Sequence, residues 1–536
     1  MAVKYPVIKN GIYYGNIPDD IADAILTIRQ QKVIPGLKYQ IFDFPPELIM
    51  RSLQEERSIR DIIKSEGIDY TQYIGELKDY QTVGTAFMYL SPRSILGDGV
   101  GLGKTAEVAA LLNLLKERGE LTRFLIAVES SALAQIHYEL MRFTGMNIIL
   151  LPSESERMRD VITSTDWRLV DGVVTKHSAL RSDILSKWLA LYLDEKGKSK
   201  IFNTFILDES SVVKNVETKI YKYTLNICNI VDRVHFLNAT TFETSIMDIY
   251  NQVDMLNDTI LPKRWRIEQE YCKFGRKSYW VKENGKPVMK FARQLEGYKN
   301  QQKFKESLKL VYFGRSKKDV GLERPHTYKV YEVEPTNEQS LAMAKGYRYM
   351  EVLNCPSLIP EAKVQFDVEH VPKLKRLIQL VENEFYDDKI MIYCYYIDAQ
   401  RKIADELMKI GKTPVIINGE DSDDERWEKM KEFNKGSADV LITNVKKSLN
   451  LYGGDVCIFY TVETNPAKME QIRGRIDRNV DDSIKTYVTL VYRGTDEYRF
   501  LTKVVKQRAQ DARSLTIDAK TAVDYFMEAM GQEGKA

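Results

Sequence analysis

The sequence predicts two α/β lobes, each a parallel sheet flanked by helices, with a small α+β segment ahead of them and a basic insertion between them. Three observations predict this. Short apolar runs alternate with amphipathic helical patterns from Leu77 to about Leu256, and again from about Val371. A Gly-rich loop follows the first of those runs. Residues 263–318 hold 17 Lys+Arg against 5 Asp+Glu, a net of +12 in a chain whose total is only +2. At 536 residues, and roughly 150 per domain, about three to four domains are expected. A composition of 44% hydrophobic and 29% charged residues excludes a mainly disordered chain.

Residues 1–75 read as an N-terminal accessory domain. DDIADAILTIRQQ places Ile21, Ala24, Ile25 and Ile28 at helical spacing. LKYQIFDF is extended and stops at Pro45-Pro46, and PELIMRSLQEERSIRDIIKSEG predicts one helix ending at Gly67. Residues 76–325 form the first lobe, with expected strands SIL before Gly97, FLIAV (124–128), GVVT (172–175), FIL before Asp208 and VHFL (234–237). Residues 326–536 form the second, with IMIYCYY (390–396), PVIIN (414–418), DVLIT (439–443), VCIFYT (456–461), TYVTLVY (486–492) and C-terminal helices. No apolar run approaches ~18 residues, so no membrane span is expected, and the N-terminus lacks a signal-peptide core. The cysteines Cys228, Cys272, Cys355, Cys394 and Cys457 form no CxxC pair, which argues against a zinc ribbon or disulfide framework and for a soluble protein of a reducing compartment, expected in the cytoplasm or wherever its polyanion partner resides and not secreted.

SILGDGVGLGKTAEVAALLNLLKERG runs from apolar strand through Gly-rich loop into amphipathic helix, the context of a phosphate-binding loop. Gly101 and Gly103 let backbone N–H groups approach phosphate oxygens, Lys104 can reach the β and γ phosphates of ATP, and the Thr105 hydroxyl can ligate Mg²⁺. Asp98 stands where the first glycine of this loop is usual. Downstream, the FIL run ends in Asp208-Glu209: Asp208 can hold Mg²⁺ through water, and Glu209 can orient and deprotonate an attacking water. In NPAKMEQIRGRIDR a continuous helix would put Gln471, Arg475 and Arg478 on one face. The basic insertion carries ten aromatic residues, and KSYWVKENGKPVMKF reads as a hairpin around Asn284-Gly285. Its Trp280, Lys282, Lys286 and Lys290 combine stacking surface with phosphate-seeking charge; the bland alternative is a local aromatic core with a solvated lysine rim.

From Leu77 to about Asp482 these motifs, in order, resemble the Swi/Snf-type branch of the DEAD/DEAH helicase-like superfamily-2 DNA translocases. LKDYQTVG resembles the adenine-reading element, with Gln81 at the adenine edge; GDGVGLGKT resembles motif I; FLIAVESSALAQIHYELMRF resembles motif Ia; and DESSVVKN resembles motif II. HFLNATTFETSIMDIYNQVDML resembles motif III, GRSKKDVG the stretch closing lobe 1, and DKIMIYCYYIDAQRKIADEL motif IV. LITNVKKSLNLYGG resembles motif V, without the family's glycine and with Asn450 assigned to nucleic-acid contact; MEQIRGRIDRNV resembles motif VI. The resemblance implies RecA-like lobes, ATP and Mg²⁺ as cofactors, Gln471 at the nucleotide, Arg475 and Arg478 as arginine fingers, and DNA, branched or duplex, as partner, with a monomer compatible. The run from Ala24 to Gln54 is also faintly similar to the accessory domain of annealing helicases, and phage branch-migration helicases carry a small N-terminal domain too. The leading expectation is thus a helicase that remodels forked or branched DNA in replication, recombination or repair. The alternatives are a remodeller that strips proteins from duplex DNA or acts on a transcription complex, and a nucleotide-gated DNA clamp.

Overall fold

The computed structural model describes residues 8–9, 12–13, 17–30, 37–239, 246–283, 286–322, 326–445, 451, 453–463, 466–476, 484–499 and 501. Two compact units divide the chain; the first runs from Met1 to Ser316 and the second begins at Lys317.

The first unit is built on a seven-stranded sheet whose strands all run parallel. In chain order these are β1 (Arg93–Leu96), β2 (Phe124–Val128), β3 (Ile148–Leu151), β4 (Gly172–Lys176), β5 (Thr204–Leu207) and β6 (Arg233–Leu237). The antiparallel hairpin β7 (Cys272–Glu283) and β8 (Lys286–Tyr298) follows, before the short β9 (Tyr312–Phe313) returns to the sheet. Spatial order is β9-β1-β6-β5-β2-β4-β3. Alternate residues of one strand enter opposite cores: Leu125 and Ala127 pack on one face, and Phe124, Ile126 and Val128 on the other. With both faces covered, the inner strands read as unbroken apolar runs, which is why they were recognisable. The sequence patterns do not announce β3 or β9. β3 is an edge strand with Leu150 exposed, and β9 has only two residues.

Residues 17–75 share the core of this unit. Ala22, Ile25, Ile28, Phe42 and Ile63 lie in the same cluster as Val83, Phe87 and Leu111. Ile41–Phe42 pairs antiparallel with Ile74–Gly75. The single helix expected up to Gly67 is two, Pro46–Glu55 and Ile59–Ser65. Glu56 adopts a left-handed conformation (φ 51°) that ends the first helix. Ser58 then caps the second, its Oγ accepting from Asp61 N at 3.0 Å.

The second unit carries a six-stranded sheet, again wholly parallel. Its strands are β10 (His326–Val333), β11 (Ile390–Tyr393), β12 (Pro414–Ile417), β13 (Val440–Thr443), β14 (Val456–Phe459) and β15 (Lys485–Tyr492), in spatial order β10-β15-β14-β11-β13-β12. β10 escapes the apolar pattern because it is an edge strand, mostly half-buried and rich in Tyr, Lys and Glu. Among the described residues no helix is long and apolar enough to cross a membrane.

One buried group makes the first sheet sensitive to acid. His235 on β6 is fully buried, with Nδ1 2.9 Å from Ser94 Oγ on β1. Burial, assisted by Arg233 and Arg93, lowers its pKa from 6.5 to about 3. Between those values the unfolded chain binds the extra proton, so stability falls as pH falls. This residue is expected to remove up to about 1.4 kcal/mol per pH unit below about pH 6. His235→Gln should flatten that dependence when thermal denaturation is compared at about pH 7 and about pH 5.

Candidate nucleotide site and nucleic-acid interface

β1 ends at Leu96, and the loop that follows leads into the helix Lys104–Glu117. Gly101 (φ 84°) and Gly103 (φ 85°) are left-handed, a conformation that glycine takes without strain. Gly103 is required for a second reason: a Cβ there would come 2.5 Å from Gln81 Nε2. Gln81 is buried on the helix Asp79–Leu90; its Nε2 donates to Leu102 O (3.0 Å) and its Oε1 accepts from Lys78 N (3.0 Å). Each end of the amide retains one further hydrogen-bonding capacity. Lys104 and Thr105 are half-buried in the first helical turn, where backbone N–H groups are unsatisfied, and Lys104 Nζ donates to Asp98 O (2.7 Å).

Asp98 itself is fully buried and ion-paired with Arg315, whose Nη2 also donates to Glu107 Oε1 (2.8 Å). Sequence reasoning missed both Arg315 and Glu107. The available signal was an acid standing where the loop calls for glycine, since a buried carboxylate needs a cation.

Asp208 and Glu209 follow β5, half-buried, and Glu209 takes a left-handed conformation (φ 49°) that L residues adopt only at a cost. His177 Nε2 lies 2.8 Å from Asp208 O. Ser210 is buried and donates to Gln252 Oε1 (2.6 Å) on the helix Ile246–Leu256. Only β6 separates β1 from β5, so the phosphate-type loop and the acidic pair emerge at the same carboxyl edge of one sheet, about 10 Å apart by strand spacing. That edge is where open α/β sheets bind ligands. Lys104, Thr105, Asp208 and Glu209 therefore form a donor set suited to nucleotide phosphates and Mg²⁺.

In the second unit the helix Pro466–Arg473 ends earlier than expected. Arg475 N donates to Ile472 O (3.1 Å) and Ile476 N to Arg473 O (3.3 Å), so the chain turns at Gly474 and Arg475 lies beyond the end of the helix that carries Gln471. Glycine weakens a helix interior, and burial of Ile472 and Ile476 in one apolar cluster favours the turn. Gln471 and Arg475 are buried, not on a solvated face. Arg473 stacks over Tyr328 (4.5 Å) and Tyr487 (4.4 Å), tying this segment to β10 and β15. Arg478 and Asn450 lie outside the described residues.

The hairpin forms with Glu283 opposite Lys286, Trp280 opposite Met289 and Tyr279 opposite Lys290. Lys290 is exposed; Asn284-Gly285 and the side chains of Trp280, Lys282 and Lys286 lie outside what is described. Among the described side chains, the aromatics of this segment include both core and exposed residues. Tyr271, Tyr298, Phe304 and Phe313 are core residues, whereas Trp265 and Phe291 are 64% and 68% exposed.

The SNF2-related domain family matches residues 80–349, half of the chain, and the helicase conserved C-terminal domain matches residues 372–480. The chain belongs to the SNF2-related family. Its Swi/Snf-type, superfamily-2 architecture of two parallel-sheet lobes accounts for the order of motifs along the chain. Among relatives, a SWI/SNF-related matrix-associated actin-dependent regulator of chromatin subfamily A-like protein 1 from Xenopus laevis is 23% identical over 94% of this chain and 51% of its own length. The uncharacterized ATP-dependent helicase YqhH of Bacillus subtilis is 24% identical over 73% of this chain and 70% of its own. The chain spans about half the length of the Xenopus laevis and Bos taurus relatives. A solved SWI2/SNF2 ATPase core of Sulfolobus solfataricus in complex with dsDNA aligns over 86% of this chain and 96% of that one, at 18% identity and a TM-score of 0.39.

Proposed function

We propose that this protein is an ATP-driven DNA translocase acting on forked or branched duplex DNA. The observation that carries the reading is the convergence of the glycine loop with Lys104 and Thr105, and of Asp208-Glu209, at one edge of a sheet in an SNF2-related lobe. Lys104 binds the β and γ phosphates, Thr105 and Asp208 hold Mg²⁺, and Glu209 takes a proton from the attacking water. Mg²⁺, when bound, neutralises charge on the phosphate oxygens. Gln81 uses its remaining donor and acceptor on the adenine edge, Gln471 contacts the nucleotide, and Arg475 and Arg478 stabilise the transferring phosphoryl group. Asn450 contacts the nucleic-acid strand.

Substrate choice is assigned to the hairpin. Exposed Met289, Lys290 and Phe291 support this, as does the positive charge of residues 263–318. Trp280 stacks on an unpaired base at the junction, while Lys282, Lys286 and Lys290 hold flanking phosphates. Such stacking contributes ~1–3 kcal/mol per base, enough for a preference of about 5- to 100-fold. Replacing residues 282–290 by a short Gly-Ser turn is expected to leave basal ATPase intact, reduce processing of forks and four-way junctions far more than tracking on duplex, and flatten the salt dependence of binding. Fork unwinding and filter binding across a salt series check this. Unchanged fork binding and remodelling would make the hairpin a structural insert. A second reading, removal of proteins from duplex DNA, is favoured by the chromatin-regulator name of the Xenopus laevis relative. It predicts equal stimulation by linear and forked duplex.

A further inference from the structure

The leading position of the phosphate loop is occupied by a fully buried aspartate, and its charge is met by a residue 217 positions downstream. Arg315 donates to Asp98 Oδ1 from its backbone N (3.1 Å) and from Nε (3.2 Å), and its Nη2 pairs with Oδ2. The same guanidinium donates from Nη1 to Tyr80 O, on the helix that carries Gln81, and from Nη2 to Glu107 Oε1 on the helix that carries Lys104 and Thr105. Its ring contacts are Phe313 at 4.7 Å and Tyr80 at 5.5 Å. The backbone repeats the connection. Ile95 N, Gly97 N and Gly99 N donate in turn to Val311 O, Phe313 O and Arg315 O, so the β1–β9 ladder continues into the loop. Lys104 Nζ then rests on Asp98 O.

We propose that Arg315 is a positioning residue of the nucleotide site, holding through Asp98 the loop that places Lys104, and through Tyr80 and Glu107 the two helices that bound that loop. The inference rests on the ATPase reading above. It explains Asp98: where a glycine would allow a tight turn, here an ion pair pins the loop. It also explains Gly84, a glycine inside a helix. A Cβ there would lie 2.1 Å from Glu107 Oε1 and 2.7 Å from Arg315 Nη2, so any side chain would displace the network. Burial, with Asp98 beside it, raises Glu107 well above the ordinary carboxylate range.

The test compares Arg315→Lys and Asp98→Asn with the parent chain, using fluorescent ADP binding, ATPase kinetics with saturating duplex DNA, DNA binding, and thermal denaturation. Lysine keeps the charge but loses the planar fork. Asparagine keeps the shape of Asp98 and its bond to Arg315 N, so it serves as the milder variant if Arg315→Lys does not fold. Displacing the loop should lower kcat by about 10²-fold and weaken ADP binding about tenfold, with DNA affinity unchanged. The double variant should be no worse than the poorer single one, because both changes break one unit. Loss of kcat with ATP KM and ADP affinity unchanged would instead mean a smaller folded fraction and would overturn the proposal. So would folded variants within about twofold of the parent in all measurements. A parent chain with no ATPase, or Lys104→Ala binding ADP and ATP as the parent does, would overturn the ATPase reading and this inference with it. An active parent beside unaffected Arg315→Lys and Asp98→Asn variants would overturn the inference alone.

Discussion

Glu209→Gln is expected to bind ATP as the parent chain does and to lose DNA-stimulated turnover by about 10²- to 10⁴-fold, the usual contribution of a positioned general base. The substitution keeps the size of the side chain and removes only its capacity to take a proton. The backbone at Glu209 is left-handed (φ 49°) without being glycine, a strained geometry of the kind that clusters at active sites. Asp208, one residue earlier, keeps its place at the strand end, so metal and nucleotide affinity should survive. Equilibrium binding of a fluorescent ATP analogue beside steady-state phosphate release separates the two effects. Arg475→Ala and Arg478→Ala should show the same separation, with kcat lower by about 10³-fold or more for Arg478. Normal turnover of Glu209→Gln would remove this residue from the chemistry.

Lys373→Ala is expected to destabilise the second unit by about 3–5 kcal/mol, the cost of leaving a buried carboxylate unpaired. Lys373 and Glu497 both have fully buried side chains. The Lys373 ammonium donates to Oε1 (2.6 Å) and Oε2 (2.7 Å) of Glu497 and to Asn354 Oδ1 (2.9 Å), with the Tyr492 ring 4.9 Å away. Burial lowers the lysine pKa, and Glu497 opposes that shift. The pair joins the start of the helix Pro372–Asn383 to the segment after β15. Replacing both residues, Lys373→Met with Glu497→Leu, should recover most of the loss, because no charge is then stranded. Urea denaturation followed by circular dichroism measures both variants. A loss under about 1 kcal/mol for Lys373→Ala would place the pair among ordinary surface bridges.

Inner strands of both sheets were legible because burial on two faces demands continuous apolar residues, as in FLIAV and the VCIF run of β14. The edge strands β3 and β10 were not, because β3, though apolar, leaves Leu150 exposed, and β10 is mostly half-buried and carries mixed residues. The helix break at Glu56 was hidden because its left-handed backbone belongs to a residue with no special turn preference. In motif VI the arginine spacing suggested a continuous helix, and Gly474 with its two turn hydrogen bonds decided otherwise. The phosphate loop and the Asp208-Glu209 pair were readable since each is a contiguous motif with a strand before it. Arg315 was not, since its partner Asp98 is 217 residues away, and no local pattern links a lone arginine to a distant loop. The hairpin turn was visible in Asn284-Gly285, but the division of its aromatics into core and exposed sets follows from packing against the helix Gln301–Leu308 and its neighbours.

ATP hydrolysis driven by branched DNA is measured by the ATPase rate at equal nucleotide concentrations of single-stranded, linear duplex, forked and four-way DNA, and of RNA. The highest rate is expected with forked or four-way DNA, a lower rate with linear duplex, and little stimulation by RNA. Equal rates with linear and branched duplex, or a rate that no nucleic acid raises, would contradict it.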